Sequence, residues 1–304
     1  MIEYKRENLN AFPDEIFSLR DLKILHLHKS HLTELSDRFE FCPQLAEVSF
    51  YQNDLAKIPD SIFKLKNLQR LNFGDNRISV LSYMIGELSC LEMLDLGHNE
   101  LNEIPDEIGD LSTLQFLYLT DNNLTDFPQT LKRLISLRYL NISENSFSGL
   151  PTSIGELTSL IELRASDNCI ENMDIRWSGL TALRELHLQN NQLTKLPDGL
   201  GNLSLLRKLF LQNNELKKLP SALAKLKNLA ELNLRNNSLY ELPKMIGDLV
   251  RLTDLDLRQN HLKDLPESLT RLPHLYKLDL RWNEIKENNS IVEALREKGC
   301  VVYT

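Results

Sequence analysis

The 304 residues are 42% hydrophobic and 7% aromatic, enough apolar material for one large core or two ordinary ones, which excludes a disordered chain. With 35 basic against 43 acidic side chains the net charge is -8, which excludes non-specific nucleic-acid binding, because that rests on neutralising phosphates. No stretch approaches the roughly 20 apolar residues of a membrane span, and MIEYKRENLNAFPDE carries charges where a signal peptide needs an apolar run, so neither membrane insertion nor a leader is expected.

Residues 1–21 place Leu9, Phe12, Ile16 and Leu19 on the register of a repeat that starts at Leu22, and are expected to form a partial first unit that covers the N-terminal end. Leu22, Leu45, Leu68 and their equivalents as far as Leu275 are spaced by 23 residues, which makes twelve units over residues 22–285. Counting that leucine as offset zero, offset eight is asparagine in eleven of the twelve units, from Asn53 to Asn283, with Ser30 the exception. Proline recurs at offset fourteen, from Pro59 to Pro266, and Pro13 keeps the same register one unit earlier; Ser36, Ser82 and Asp174 replace it. After the last unit ENNSIVEALREKGCVVYT abandons the pattern. Ile291, Val292 and Leu295 give Ser290 to Lys298 helical spacing, Gly299 stops the helix, and Cys300 to Tyr303 reads as a short strand. Residues 286–304 are therefore expected to be a helix–strand cap, and 1–304 a single domain.

In LxxLxL the apolar residues alternate with polar ones, the signature of a strand with one buried face. A lone strand cannot bury that face, but equivalent strands stacked about 4.8 Å apart make a continuous parallel sheet. Asparagine at offset eight stands where the chain leaves the strand, and its amide offers two donors and an acceptor to the backbone there. Proline ends regular pairing. The apolar residues at offsets seventeen and twenty return to the core from the outer side, where short helical turns are expected. Strands take less width than these outer segments, so the stack is expected to curve, with the sheet on its concave face.

The pattern resembles the leucine-rich repeat family, and within it the intracellular 23-residue class with LPxxIGxL in the second half, found in Ras-group and scribble-type scaffolds and in stand-alone bacterial proteins. LEMLDLGHNELNEIPDEIGDLS and LTDLDLRQNHLKDLPESLTRLP carry the resemblance, which runs from about Leu9 to Ile285. It implies an α/β solenoid, a horseshoe of about 12 repeats, and a scaffold or adaptor in signal transduction that meets a protein partner on the concave face.

Offsets two, four, six and seven are free to vary, because they are expected to point into the concave space. Met93, Phe116, Tyr118 and Tyr139 fill offsets two and four of three successive units and fall on one surface. Such an apolar cluster marks an interface. The competing reading is that the rings only stack along the sheet. Phe210 stands alone three units later. Acidic residues surround the cluster, among them Asp95, Asp121, Glu144 and Glu162, so the field attracts a basic partner. Arg164 lies among them and joins the expected partner-binding set. Arg235, Arg258 and Arg281 repeat at offset six beside Asp254, Asp256 and Asp279, and are expected to be neutralised by them rather than to bind anions.

No GxxxxGK[ST], GxGxxG, GxSxG or HExxH motif occurs. His26 and His28 lie two apart on the same face but lack further ligands, and are expected to be solvated histidines of a terminal strand. His187 beside Glu185, with Glu162 one strand away, has the parts of an acid–base pair without a nucleophile or oxyanion donor, so no catalytic residue is assigned. Neither a metal nor a cofactor is expected. Cys42, Cys90, Cys169 and Cys300 are too scattered for a disulfide framework or a zinc cluster, which points to reduced thiols and the cytoplasm, whether the protein's own or that of a host into which a bacterial effector is delivered. In the seventh unit Trp177 is expected to occupy space left by the small Ala165.

The expected function is thus non-catalytic binding of another protein; a small GTPase, a phosphatase or a host signalling protein all fit. The alternative is the substrate-recognition part of a bacterial effector or larger enzyme, of ubiquitin ligase or kinase type, whose catalytic domain lies outside this chain.

Overall fold

A computed structural model describes residues 2–286 and 288–304; Met1, in the expected N-terminal segment, and Glu287, in the expected C-terminal cap, lie outside the described residues. The chain forms two compact units, one ending at Phe147 and the other spanning Ser148–Thr304. In the first unit β1 (Ile2–Glu7), β2 (Leu22–His28), β3 (Glu47–Ser49), β4 (Arg70–Asn72), β5 (Met93–Asp95), β6 (Phe116–Tyr118) and β7 (Tyr139–Asn141) pair in parallel, each with the next. The second unit repeats this with β8 (Glu162–Arg164), β9 (Glu185–His187), β10 (Lys208–Phe210), β11 (Glu231–Asn233), β12 (Asp254–Asp256), β13 (Lys277–Asp279) and β14 (Val301–Tyr303). This is the expected solenoid with a parallel sheet. Partners differ by one repeat, as in Leu94, Leu117 and Leu140, so a single spacing sets both the sequence period and the sheet register. The leucines at offsets three and five are buried along the stack, and offsets two and four turn to the open face.

β1 was not expected as a strand. Its residues Glu3 to Glu7 pair with Ile24 to His28, so this charged N-terminal segment joins the sheet edge. At this end the core is aromatic rather than aliphatic: Phe39, Phe50 and Phe73 are fully buried, with ring centroids 5.9 Å and 5.2 Å apart along the stack.

Each repeat leaves its strand through two residues with different duties. The offset-seven residue takes left-handed backbone in every unit, from Lys29 (φ 49°) through Glu144 (φ 56°) to Trp282 (φ 61°), a conformation that costs an L-residue about 1–2 kcal/mol. The asparagine after it holds the turn. Asn122 Nδ2 donates to the carbonyls of Leu96 and Leu119 at 3.0 and 3.2 Å, while its Oδ1 accepts from Leu101 N at 2.9 Å, with 7% of the residue exposed. The same three bonds recur at Asn76, Asn99, Asn191, Asn214 and Asn237. One side chain therefore satisfies backbone groups of its own coil and of the preceding one.

Opposite the strands the outer segments are one-turn 3-10 helices, such as Asp106–Asp110, in place of regular α-helices. Pro105 (φ -68°, ψ 155°) enters that turn and its carbonyl accepts from Ile108 N at 3.1 Å. Where Ser82 replaces proline, its hydroxyl accepts from Met84 N at 3.2 Å and the turn keeps its length at Tyr83–Glu87. The turns after Ser36 and Asp174 shrink to Phe39–Phe41 and Trp177–Gly179. The glycine of the IG pair answers to a close approach: a Cβ on Gly109 would strike the carbonyl oxygen of Thr130, and one on Gly247 that of Ser268, in the next coil.

Trp177 is 3% exposed, its indole Nε1 donates to the Met173 carbonyl at 3.1 Å, and its ring lies against Gly199. Its seat is thus shared by Met173 of its own coil and Gly199 of the next. After the last repeat α1 (Ser290–Glu297) is opened by Asn289, whose Oδ1 accepts from Ile291 N and Val292 N, and it buries Val292 and Leu295. Gly299 (φ 86°) then turns the chain into β14. Among the described residues no helix is long and apolar enough to cross a membrane.

Candidate protein-interaction site

In the first unit register brings the central aromatic residues side by side. Met93 pairs with Phe116 and Phe116 with Tyr139, while Asp95 pairs with Tyr118 and Tyr118 with Asn141. Backbone spacing alone puts these side chains within contact range on the open face. Tyr118 and Tyr139 touch, with centroids 4.9 Å apart and rings tilted by 37°. Exposure is uneven. Phe116 presents 36% of its surface, while Met93, Tyr118 and Tyr139 are half-buried. The expected stacking and the expected apolar surface therefore coexist, with Phe116 as the protruding group.

The acidic residues divide by position. Asp95 stands on β5, half-buried, and Oδ1 accepts from Gly97 N at 3.0 Å. Asp121 (φ 52°) and Glu144 (φ 56°) are at the left-handed turns beyond the strands, and both are exposed. Asp121 meets His98 Nδ1 at 2.9 Å. Burial pushes the Asp95 carboxyl above its usual range, opposed by the Gly97 N–H and by the charge of His98. The folded state thus holds a proton there more readily than the unfolded chain, so Asp95 disfavours folding above its raised value and that penalty fades as pH falls through it. Other repeats solve the same problem without charge: Asn72 Oδ1 accepts from Gly74 N at 2.7 Å and Asn141 Oδ1 from Ser143 N at 3.0 Å. Asp95→Asn is accordingly expected to keep the bond and raise Tm at pH 7 by roughly 1–3 °C, with the gain vanishing in acid. Thermal unfolding at pH 7 and pH 4 checks both parts.

In the second unit Glu162 and Arg164 lie on β8, with Arg164 Nε donating to Glu162 Oε1 at 2.6 Å. Phe210 does not stand alone. It stacks on His187 with centroids 4.6 Å apart, and the two rings are nearly parallel at 25°. Burial first, and then the charge of Arg164, holds the His187 imidazole below its ordinary range despite Glu162 and Glu185. It is therefore neutral at pH 7.

The arginine reading is met at two positions. Arg258 and Arg281 pair with Asp256 and Asp279 at 2.5 and 2.7 Å, whereas Arg235 Nε donates to Gln259 Oε1 at 2.9 Å. Arg281 also lies over the rings of Trp282 and Tyr303, 5.4 and 5.2 Å from their centroids. His26 and His28 are not free solvated side chains. Their rings stack at 5.1 Å, His26 Nε2 bonds Glu47 Oε1 at 2.8 Å and His28 Nε2 bonds Ser49 Oγ at 2.7 Å. The sequence reading missed these pairings because they run diagonally: the register sets Glu47 opposite Ile24 and Ser49 opposite His26, and each histidine reaches back to the residue two before its own partner position.

The leucine-rich repeat region family matches residues 84–177 and 168–297, and a second leucine rich repeat family matches residues 43–101. A leucine-rich repeat protein of Leptospira interrogans is 33% identical, with a TM-score of 0.69, over 96% of this chain and 86% of that one. An internalin of Listeria monocytogenes, 24% identical with a TM-score of 0.80 over 91% of this chain and 78% of that one, shares the fold. The plant peptide hormone receptor RGFR1, solved in complex with RGF2, is 27% identical with a TM-score of 0.76; the match covers 93% of this chain and 52% of the receptor chain, so this chain spans about half its length. None of the curated proteins compared with the chain matches it. With family matches over most of its length and the same repeat in every coil, this chain belongs to the leucine-rich repeat family, whose fold typically serves as a protein-interaction module.

Proposed function

We propose that residues 1–304 act as one non-catalytic, cytoplasmic scaffold domain that binds another protein on the open face of the sheet, with Phe116 as the anchor and Met93, Tyr118 and Tyr139 as its apolar surround. The observation that carries this reading is the placement of Phe116 between Met93 and Tyr139 in register, with more than a third of its surface in water. A stack formed for stability alone has no need to leave its central ring exposed, and aromatic side chains in such positions dominate interface energetics. Asp95, Asp121 and Glu144 set the charge pattern of the first unit, and Glu162 with Arg164 that of the second. A net charge of -8 with acids in this setting selects a partner whose contact surface is basic around an apolar pocket, and speeds its approach more than it tightens the complex. Phe210, stacked on His187, extends the surface of the second unit. Capture of a peptide hormone by the similar plant receptor is in keeping with protein ligation on such a scaffold.

The double substitution Phe116→Ala with Tyr118→Ala is expected to abolish retention of the partner in an affinity capture from native lysate, while Tm stays within about 2 °C of the parent. A fall in Tm of many degrees would instead make the two rings structural.

A further inference from the structure

Glu162, Glu185 and His187 lack the nucleophile and oxyanion donor of a catalytic centre, yet the fold gathers them into one cluster on the open face of the second unit. Glu162 and Glu185 are direct partners across β8 and β9, and His187 is two residues beyond Glu185 on the same face. His187 Nε2 lies 3.7 Å from Glu162 Oε1 and 3.7 Å from Glu185 Oε2, and one ligand atom from each of the three residues lies within 4.8 Å of the others. At 3.7 Å neither contact is a hydrogen bond. Nε2 is a buried polar atom with no partner, and it points between two carboxylates. A buried unpaired nitrogen costs free energy, which His26 and His28 avoid through their hydrogen bonds.

From this geometry we propose that Glu162, Glu185 and His187 form a site for a divalent transition ion of the zinc class. Donors at 2.0–2.2 Å from a tetrahedral ion stand about 3.4 Å apart, so the two 3.7 Å edges need a few tenths of an ångström to close around it, and the edge between the carboxylates, which is within 4.8 Å, needs at most about 1.4 Å. The surroundings match the outer shell of a metal site. Arg164 Nε donates to Glu162 Oε1, and Lys208 Nζ pairs with Glu185 Oε1 at 3.1 Å, leaving Oε2 turned to His187. Phe210 stacked on the imidazole fixes the plane of the ring. The positive charges of Arg164 and Lys208 offset much of the carboxylate charge. That disfavours an ion held by charge and oxygen alone, such as Ca2+, and favours one that bonds imidazole nitrogen. Three protein ligands leave a position open to water or to a partner's side chain. This site does not depend on the protein-binding reading, and its test does not involve a protein partner.

The full chain, stripped with a chelator and titrated calorimetrically with Zn2+ alone, is expected to bind the ion at a site whose affinity falls at least tenfold in Glu185→Gln and in His187→Gln. Ca2+ is expected to bind at least tenfold more weakly than Zn2+. In the parent the 15N resonance of His187 Nε2 is expected to shift on zinc addition, a readout that survives if His187→Gln fails to fold. Absence of zinc uptake, an affinity unchanged in Glu185→Gln, loss of uptake in His28→Gln in place of His187→Gln, or equal binding of Ca2+ would each overturn the assignment.

Discussion

Alanine in place of Asn122 is expected to destabilise the protein by about 3–5 kcal/mol, far more than its small side chain would suggest. The amide fills three backbone groups at once, the carbonyls of Leu96 and Leu119 and the N–H of Leu101, in a place almost closed to water. Removing it leaves the Leu101 N–H without its acceptor and strips one of two amide donors from each of the Leu96 and Leu119 carbonyls, which keep those of Asn99 and Asn145. Asn122→Asp keeps the acceptor for Leu101 but aims a carboxylate at two carbonyls, so its loss at pH 7 is expected to be comparable and to shrink as acid protonates the group. Urea unfolding at pH 7 and pH 5 measures both effects. A loss under 1 kcal/mol for the alanine variant would mean that the turn is held by other means.

The second large effect is expected at Leu140, which is fully buried on β7 and stacked by register on Leu117. Leu140→Ala removes about 2–5 kcal/mol through lost burial and the cavity left behind. Each coil couples mainly to its neighbours, so weakening one mid-chain coil is also expected to divide the unfolding transition into two resolvable steps. Calorimetry reads this directly. A single transition merely displaced to lower temperature would show that the coils unfold together.

Much of this architecture is legible in the residues. The spacing of Leu22, Leu45 and their successors sets strand identity, parallel pairing and register, because all depend on the same period. Asn53 and its equivalents announce the turn for a chemical reason, that only a carboxamide has the donors and the acceptor the backbone lacks there. The left-handed residue before it is not legible. Gln52, Glu144 and Trp282 carry no turn preference, and they adopt that backbone because the asparagine bonds and the stacking over-determine it. β1 was hidden for a related reason: an edge strand with one neighbour can be charged on its outer face, so IEYKRE lacks the apolar alternation of the repeats.

The site was legible in adjacency and not in side-chain direction. Equal offsets place Met93, Phe116 and Tyr139 together, and the same counting places Glu162 beside Glu185. Whether Tyr118 leans on Tyr139, or His187 on Phe210, depends on side-chain torsions that no periodicity encodes. That is why four apolar groups exposed together were expected, and one exposed ring beside three half-buried residues is found. Likewise His187 reads from the residues as part of an acid–base pair with Glu185 and Glu162, and only its torsions place Nε2 3.7 Å from both carboxylates.

The claim on which the functional account rests is that the partner sits over Phe116. Its most direct measurement is site-specific photo-crosslinking, with a benzophenone side chain in place of Phe116 or, on the opposite side of the coil, of the exposed Ile135. The account predicts a crosslinked partner from position 116 and none from position 135. Equal crosslinking from both positions, or from 135 alone, would contradict it.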